Sequence, residues 1–244
     1  MKSRVIACVA AVAAALVTST AFAAAGAARV GITDVRFSVI DLTPGDGAQA
    51  GYTLGSGSNE LSIWSLDLPS RELTVPSGQA AAIESSYGRL ATDVTVGSTL
   101  GSTMIGYTEQ ASGPGHGYFR SVATQKVEVT LKANSLLIMD VSTLAQFDSW
   151  PQGSEVSGGV WLKLDRNMLP STQVWDGYPE GYNGINSYQL AFANVLDADT
   201  TLTLSLESSL TVTAVPEPSA FMMLPLGLAG VLAVARRRQR AGQV

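Results

Sequence analysis

One stretch of the chain gathers side chains suited to sugars. Trp175, Asp176, Tyr178, Glu180, Tyr182 and Asn183 fall within Trp175–Gly184, spaced by glycines and Pro179. Flat aromatic rings stack on sugar rings, and neighbouring Asp, Glu and Asn side chains hydrogen-bond hydroxyls. The glycines and proline predict a loop there. The stretch therefore reads as a glycan-binding loop, or more plainly as a turn whose aromatics cap an edge of the fold.

Other chemistry is sparse. His116, the only histidine, lies in the glycine-rich stretch Gly113–Tyr118, and an exposed loop histidine is the plain reading. A triad or metalloenzyme site needs a supported histidine with carboxylate partners. No Gly-x-Ser-x-Gly elbow and no phosphate-binding glycine loop followed by Lys-Ser/Thr occur. Paired carboxylates can hydrolyse glycosides, but no motif selects a pair among the acidic residues. Asp197 and Asp199, or the carboxylates of the aromatic stretch, supply hard oxygen ligands for Ca²⁺. No EF-hand spacing completes such a site, so no cofactor or metal is expected. The expectation is a non-catalytic protein, with a secreted hydrolase as the third reading.

The elements that must position these residues are strands. Val35, Phe37 and Val39 alternate with Arg36 and Ser38. Val127, Val129 and Leu131 alternate with Lys126, Glu128 and Thr130. Val160, Leu162 and Leu164 alternate with Trp161, Lys163 and Asp165, and Leu202, Leu204 and Leu206 with Thr203, Ser205 and Glu207. Period-2 alternation marks strands with one buried and one wet face. Weaker strands are expected near 50–54, 61–68, 90–96, 103–107, 135–141 and 188–194. Turns are expected at Pro44–Gly47, Gly55–Asn59, Pro114–Gly115 and Gly181–Asn186. Residues 77–87 fit a short helix or an edge strand. Two stretches, 127–144 and 192–210, echo each other as strand, polar turn, strand, which suggests a reused hairpin. The fold class is all-β: an antiparallel β-sandwich of eight to twelve strands, in the manner of a jelly roll.

The ends are of another kind. Lys2 and Arg4 precede an apolar stretch and the small-residue site Ala21-Phe22-Ala23, which reads as a secretory signal peptide over residues 1–23. At the other end, Val215-Pro216-Glu217-Pro218 precedes the uncharged run Ala220–Ala235, then Arg236, Arg237, Arg238 and Arg240. Extended by Pro218 and Ser219, that run reaches the lower end of the ~17–25 residues that span a bilayer. The arginines stop transfer and keep the tail on the cytoplasmic side. Residues 24–214 remain, enough for one domain.

Two of the 15 basic residues lie before residue 24 and four beyond residue 214, leaving nine in the body. Glu217 alone of the 20 acidic residues lies outside it, leaving nineteen, so the body carries about −10. That charge repels phosphate backbones and argues against nucleic acid as a partner. Cys8, the only cysteine, lies in the signal stretch, so the body has no disulfide and rests on burial and sheet hydrogen bonds.

The tail, with its Val-Pro-Glu-Pro motif, apolar helix and terminal arginine cluster, closely resembles the sorting signal of PEP-CTERM proteins. The opening Phe37–Gly47 is similar, less specifically, to the start of bodies in that family. The resemblance implies a Gram-negative source, Sec export, a tethered precursor processed by an exosortase, and release to the periplasm, cell surface or extracellular matrix. It also implies association with exopolysaccharide and biofilm.

Overall fold

The computed structural model describes residues 27–88, 90–109, 117–148, 154–165, 172–178 and 183–214. The signal segment, His116, Tyr182 and the sorting tail lie outside these. Among the described residues there is no helix. Twelve strands run in order: β1 (Ala27–Asp41), β2 (Tyr52–Ser65), β3 (Arg71–Pro76), β4 (Ala81–Tyr87), β5 (Leu90–Val96), β6 (Thr103–Glu109), β7 (Gly117–Leu131), β8 (Ser135–Phe147), β9 (Ser154–Asp165), β10 (Thr172–Tyr178), β11 (Asn183–Asn194) and β12 (Thr200–Ala214).

They form two six-stranded antiparallel sheets. The first has the order β11-β8-β1-β6-β5-β4 and the second β10-β9-β12-β7-β2-β3. The sheets stack face to face, with β1 against β12 and β9, β5 against β7, and β4 against β2. The alternation explains this directly. Val127, Val129 and Leu131 point inward with Val160, Leu162, Leu164 and the leucines of β12, meeting Val30, Ile32, Val94, Ile105, Met139 and Val141. Each such fully buried side chain contributes about 1.5–3 kcal/mol of transfer free energy.

Two bulges adjust the pattern. In β1, Thr33 is the extra residue: Ile32 pairs with Thr143 and Asp34 with Ser142. The inward set changes there from Ala28, Val30 and Ile32 to Val35, Phe37 and Val39. In β2, the register shifts between Leu54 and Gly57. The stretch Gly55–Asn59, expected as a turn, is instead a bulge inside one continuous strand. Gly57 is required because a Cβ there would collide with the Lys126 carbonyl oxygen, a close backbone approach open only to glycine.

Residues 81–87 form the edge strand β4, not a helix. Asn183–Asn186, expected in a turn, begin β11. The two echoed stretches are not hairpins. β7 and β8 belong to different sheets, as do β11 and β12, so each connection arches over the end of the sandwich. The arches lock onto each other. Asn194, fully buried, donates through Nδ2 to the carbonyls of Leu131 (3.3 Å), Lys132 (2.9 Å) and Ala198 (2.8 Å), and its Oδ1 accepts from Thr200 Oγ1 (3.0 Å). Asn134, at φ 50°, makes the β7–β8 turn and donates its N–H to the Leu196 carbonyl.

Candidate functional site

The aromatic stretch does not survive as one loop. Trp175, Asp176 and Tyr178 lie on β10, the edge of the second sheet, while Asn183 opens β11, the edge of the first. Tyr182 is outside the described residues. The two edges neighbour each other on one side of the sandwich.

The structure assembles a different aromatic surface on the outer face of the second sheet. One register row runs Trp161, Glu207, Thr124, Glu60 and Thr74 across β9, β12, β7, β2 and β3, and in the backbone ladder Trp175 of β10 pairs with Trp161. The Trp161 side chain is 38% exposed. Beside this row, Gly159 stands opposite Gly177, so neither strand places a side chain there. On the same face, Trp64 of β2 (44% exposed) meets Tyr118 of β7 edge to face, with centroids 5.2 Å apart and planes at 79°. With Ser62, Arg120 and Val122 they line an open depression of about 400 Å³. Strand rise and spacing set Trp161 and Trp64 roughly 20 Å apart, diagonally over four strands.

The face around them is polar and mixed in charge. Lys126 Nζ lies 2.8 Å from Glu60 Oε2, and Lys163 Nζ 2.7 Å from Asp165 Oδ2. Burial pushes the Glu207 carboxyl above its ordinary value, while Arg120 and Lys126 pull it down. Exposed flat rings amid hydroxyl and charged groups suit an extended polyhydroxylated chain.

Trp161 was legible as an aromatic on the polar half of an alternating strand. Trp64, Tyr118 and Arg120 carry no such signal, because only the β2–β7 pairing brings them together.

Asp197 and Asp199 serve the arches. Asp199 Oδ1 accepts the Ala133 N–H at 3.1 Å and Oδ2 lies 3.7 Å from Lys132 Nζ, while Asp197 Oδ1 lies 3.5 Å from Asn134 Nδ2. Among the described residues, no group of three or more His, Cys, Asp or Glu side chains is placed to hold a metal ion. A larger open cleft, about 590 Å³, lies between the β3 and β4 edges and includes Arg71, Glu84 and Asp93. There Glu84 stands opposite Asp93 across the β4–β5 ladder, and Arg71 donates to the Glu84 backbone carbonyl. In comparisons with family models, curated proteins and solved structures, nothing matches this chain.

Proposed function

We propose that this is an exported, non-catalytic protein of the cell surface or extracellular matrix, and that the outer face of its second sheet contacts extracellular polysaccharide. The observation that carries the sugar contact is the pair of exposed tryptophans, Trp64 and Trp161, on one wet sheet face. The plain alternative is an inert face with two solvated rings. Pull-down on insoluble and acidic polysaccharides, followed by titration calorimetry, separates them. Trp64→Ala with Trp161→Ala abolishes retention on this reading, with an unchanged thermal midpoint. Equal retention by the double variant refutes it.

Export rests on the signal-like segment 1–23 and on residues 215–244, which resemble a PEP-CTERM sorting signal with Val215-Pro216-Glu217-Pro218 as its motif. On this reading Sec machinery exports the chain, the apolar run holds it in the inner membrane, and an exosortase-type enzyme processes it. Deleting Ala220–Val244 releases or misplaces the body. Unchanged fractionation and an uncut intact mass refute processing.

A further inference from the structure

The lateral edges of the sandwich are built unequally. On one side, β3 carries Arg71, Glu72 and Pro76, and β4 carries Glu84. Arg71 Nη1 donates to the Glu84 carbonyl at 2.9 Å, linking the two edges. These are common protections against unwanted strand pairing: charges, a proline and short length. On the other side, β11 reads Asn-Gly-Ile-Asn-Ser-Tyr-Gln-Leu-Ala-Phe-Ala-Asn, twelve residues with no charge and no proline. At a strand's rise it is about 40 Å long. Its inner side pairs with β8 along its whole length. Among the described residues no strand pairs with its outer side.

We infer that β11 is a homodimer edge, pairing antiparallel with β11 of a second copy to join two first sheets into one. The strand's own order supports a second copy. Ile185, 70% exposed, lies towards one end, and Ala191 and Ala193 towards the other. A two-fold axis at Tyr188 sets Ile185 of each copy against Ala191 of the other, and an axis at Gln189 sets it against Ala193. On the outer face, Leu144 flanks Ile185 while Ile138 and Leu136 flank Ala191 and Ala193. Each half of the interface thus continues an apolar strip from one copy into the other, and the symmetry makes it twice.

Charge favours the same geometry. The body carries about −10, so two copies repel over most approaches. Along β11 no charge faces its equivalent, and Asp140 on the neighbouring strand is engaged by Gln189 Nε2 at 2.8 Å. Main-chain hydrogen bonds supply the affinity, as in other strand additions. The inference is independent of the sugar-binding reading, because it uses the other sheet.

The test is sedimentation of the full chain in a mild detergent that disperses single apolar helices, over a concentration series. The wild-type protein sediments as two copies at tens of micromolar. Ser187→Lys with Ala191→Lys, both at exposed edge positions, sediments as one copy with an unchanged circular-dichroism spectrum. Glu84→Lys on the opposite side remains two copies. A single-copy wild type overturns the inference. So does a lysine variant that stays dimeric, or a Glu84→Lys change that dissociates the dimer. Recovery of the wild type bound only to a foreign strand also overturns it.

Discussion

The hydroxyls of Thr103 and Ser208 meet at 2.7 Å in the interior, from opposite sheets and 105 residues apart. Thr103 Oγ1 also accepts the Ile32 N–H at 3.2 Å. Ser208 interrupts the run of inward leucines on β12, and Thr103 is the group that satisfies it. A second bridge joins Thr92 and Ser121 at 2.8 Å. A third joins Gln125 to the β5–β6 turn, with Oε1 accepting the Gly101 N–H at 2.7 Å. These bridges tie the two sheets together in a body without disulfides.

Removing the Ser208 hydroxyl leaves a buried partner short of a bond. Ser208→Ala is expected to cost about 1–2 kcal/mol, measured as a lower urea midpoint at unchanged slope. Thr103→Val combined with it costs less than the sum of the single changes, by at least ~0.5 kcal/mol, since the residues share one bond. Strict additivity contradicts the direct contact.

Asn194 is the heavier case, because it serves several backbone groups at once. Asn194→Ala strands buried carbonyls of both arches and is expected to cost roughly 3 kcal/mol or more. Hydrogen exchange then accelerates first in residues 131–135 and 195–200. A loss spread evenly over both sheets contradicts the local role.

Gly57 permits the bulge against Lys126. Gly57→Ala forces its Cβ against a carbonyl oxygen, and about 1–3 kcal/mol of overpacking strain is expected. Gly78→Ala is the comparison: no atom lies within 4 Å of its Cβ position, but its φ of +85° carries backbone strain alone. A smaller loss at Gly57 than at Gly78 contradicts the packing account.

Glu207 links stability to pH. Burial raises its carboxyl above the ordinary 4.5, so the folded state favours the neutral form. That contribution is complete below the unfolded value and is lost as pH rises through the folded one. Glu207→Gln therefore gains on the wild type in thermal midpoint as pH rises from the ordinary carboxylate range through the raised folded value. Parallel profiles contradict a raised carboxyl.

Much of the fold was open to a reader of residues. The alternation in β7, β9 and β12 named the buried side chains correctly, since a strand's two faces follow from its own pleat. Misreadings fell where glycine was taken for punctuation. Gly55 and Gly57 bend a strand without ending it, and Gly184 sits within one. The aromatic stretch, read as one loop, is divided for the same reason: Trp175 lies on β10 and Asn183 on β11, the edge strands of different sheets.

By itself, the sequence determines that the body is a disulfide-free, acidic, two-faced strand protein, because those properties are sums or short periods along the chain. Only the tertiary structure decides which strands neighbour which, that Trp161 and Trp64 share a face, and that β11 is an edge strand among the described residues. Those outcomes depend on pairings between residues dozens of positions apart, chosen by the free energy of the whole packed assembly, and no local pattern encodes them.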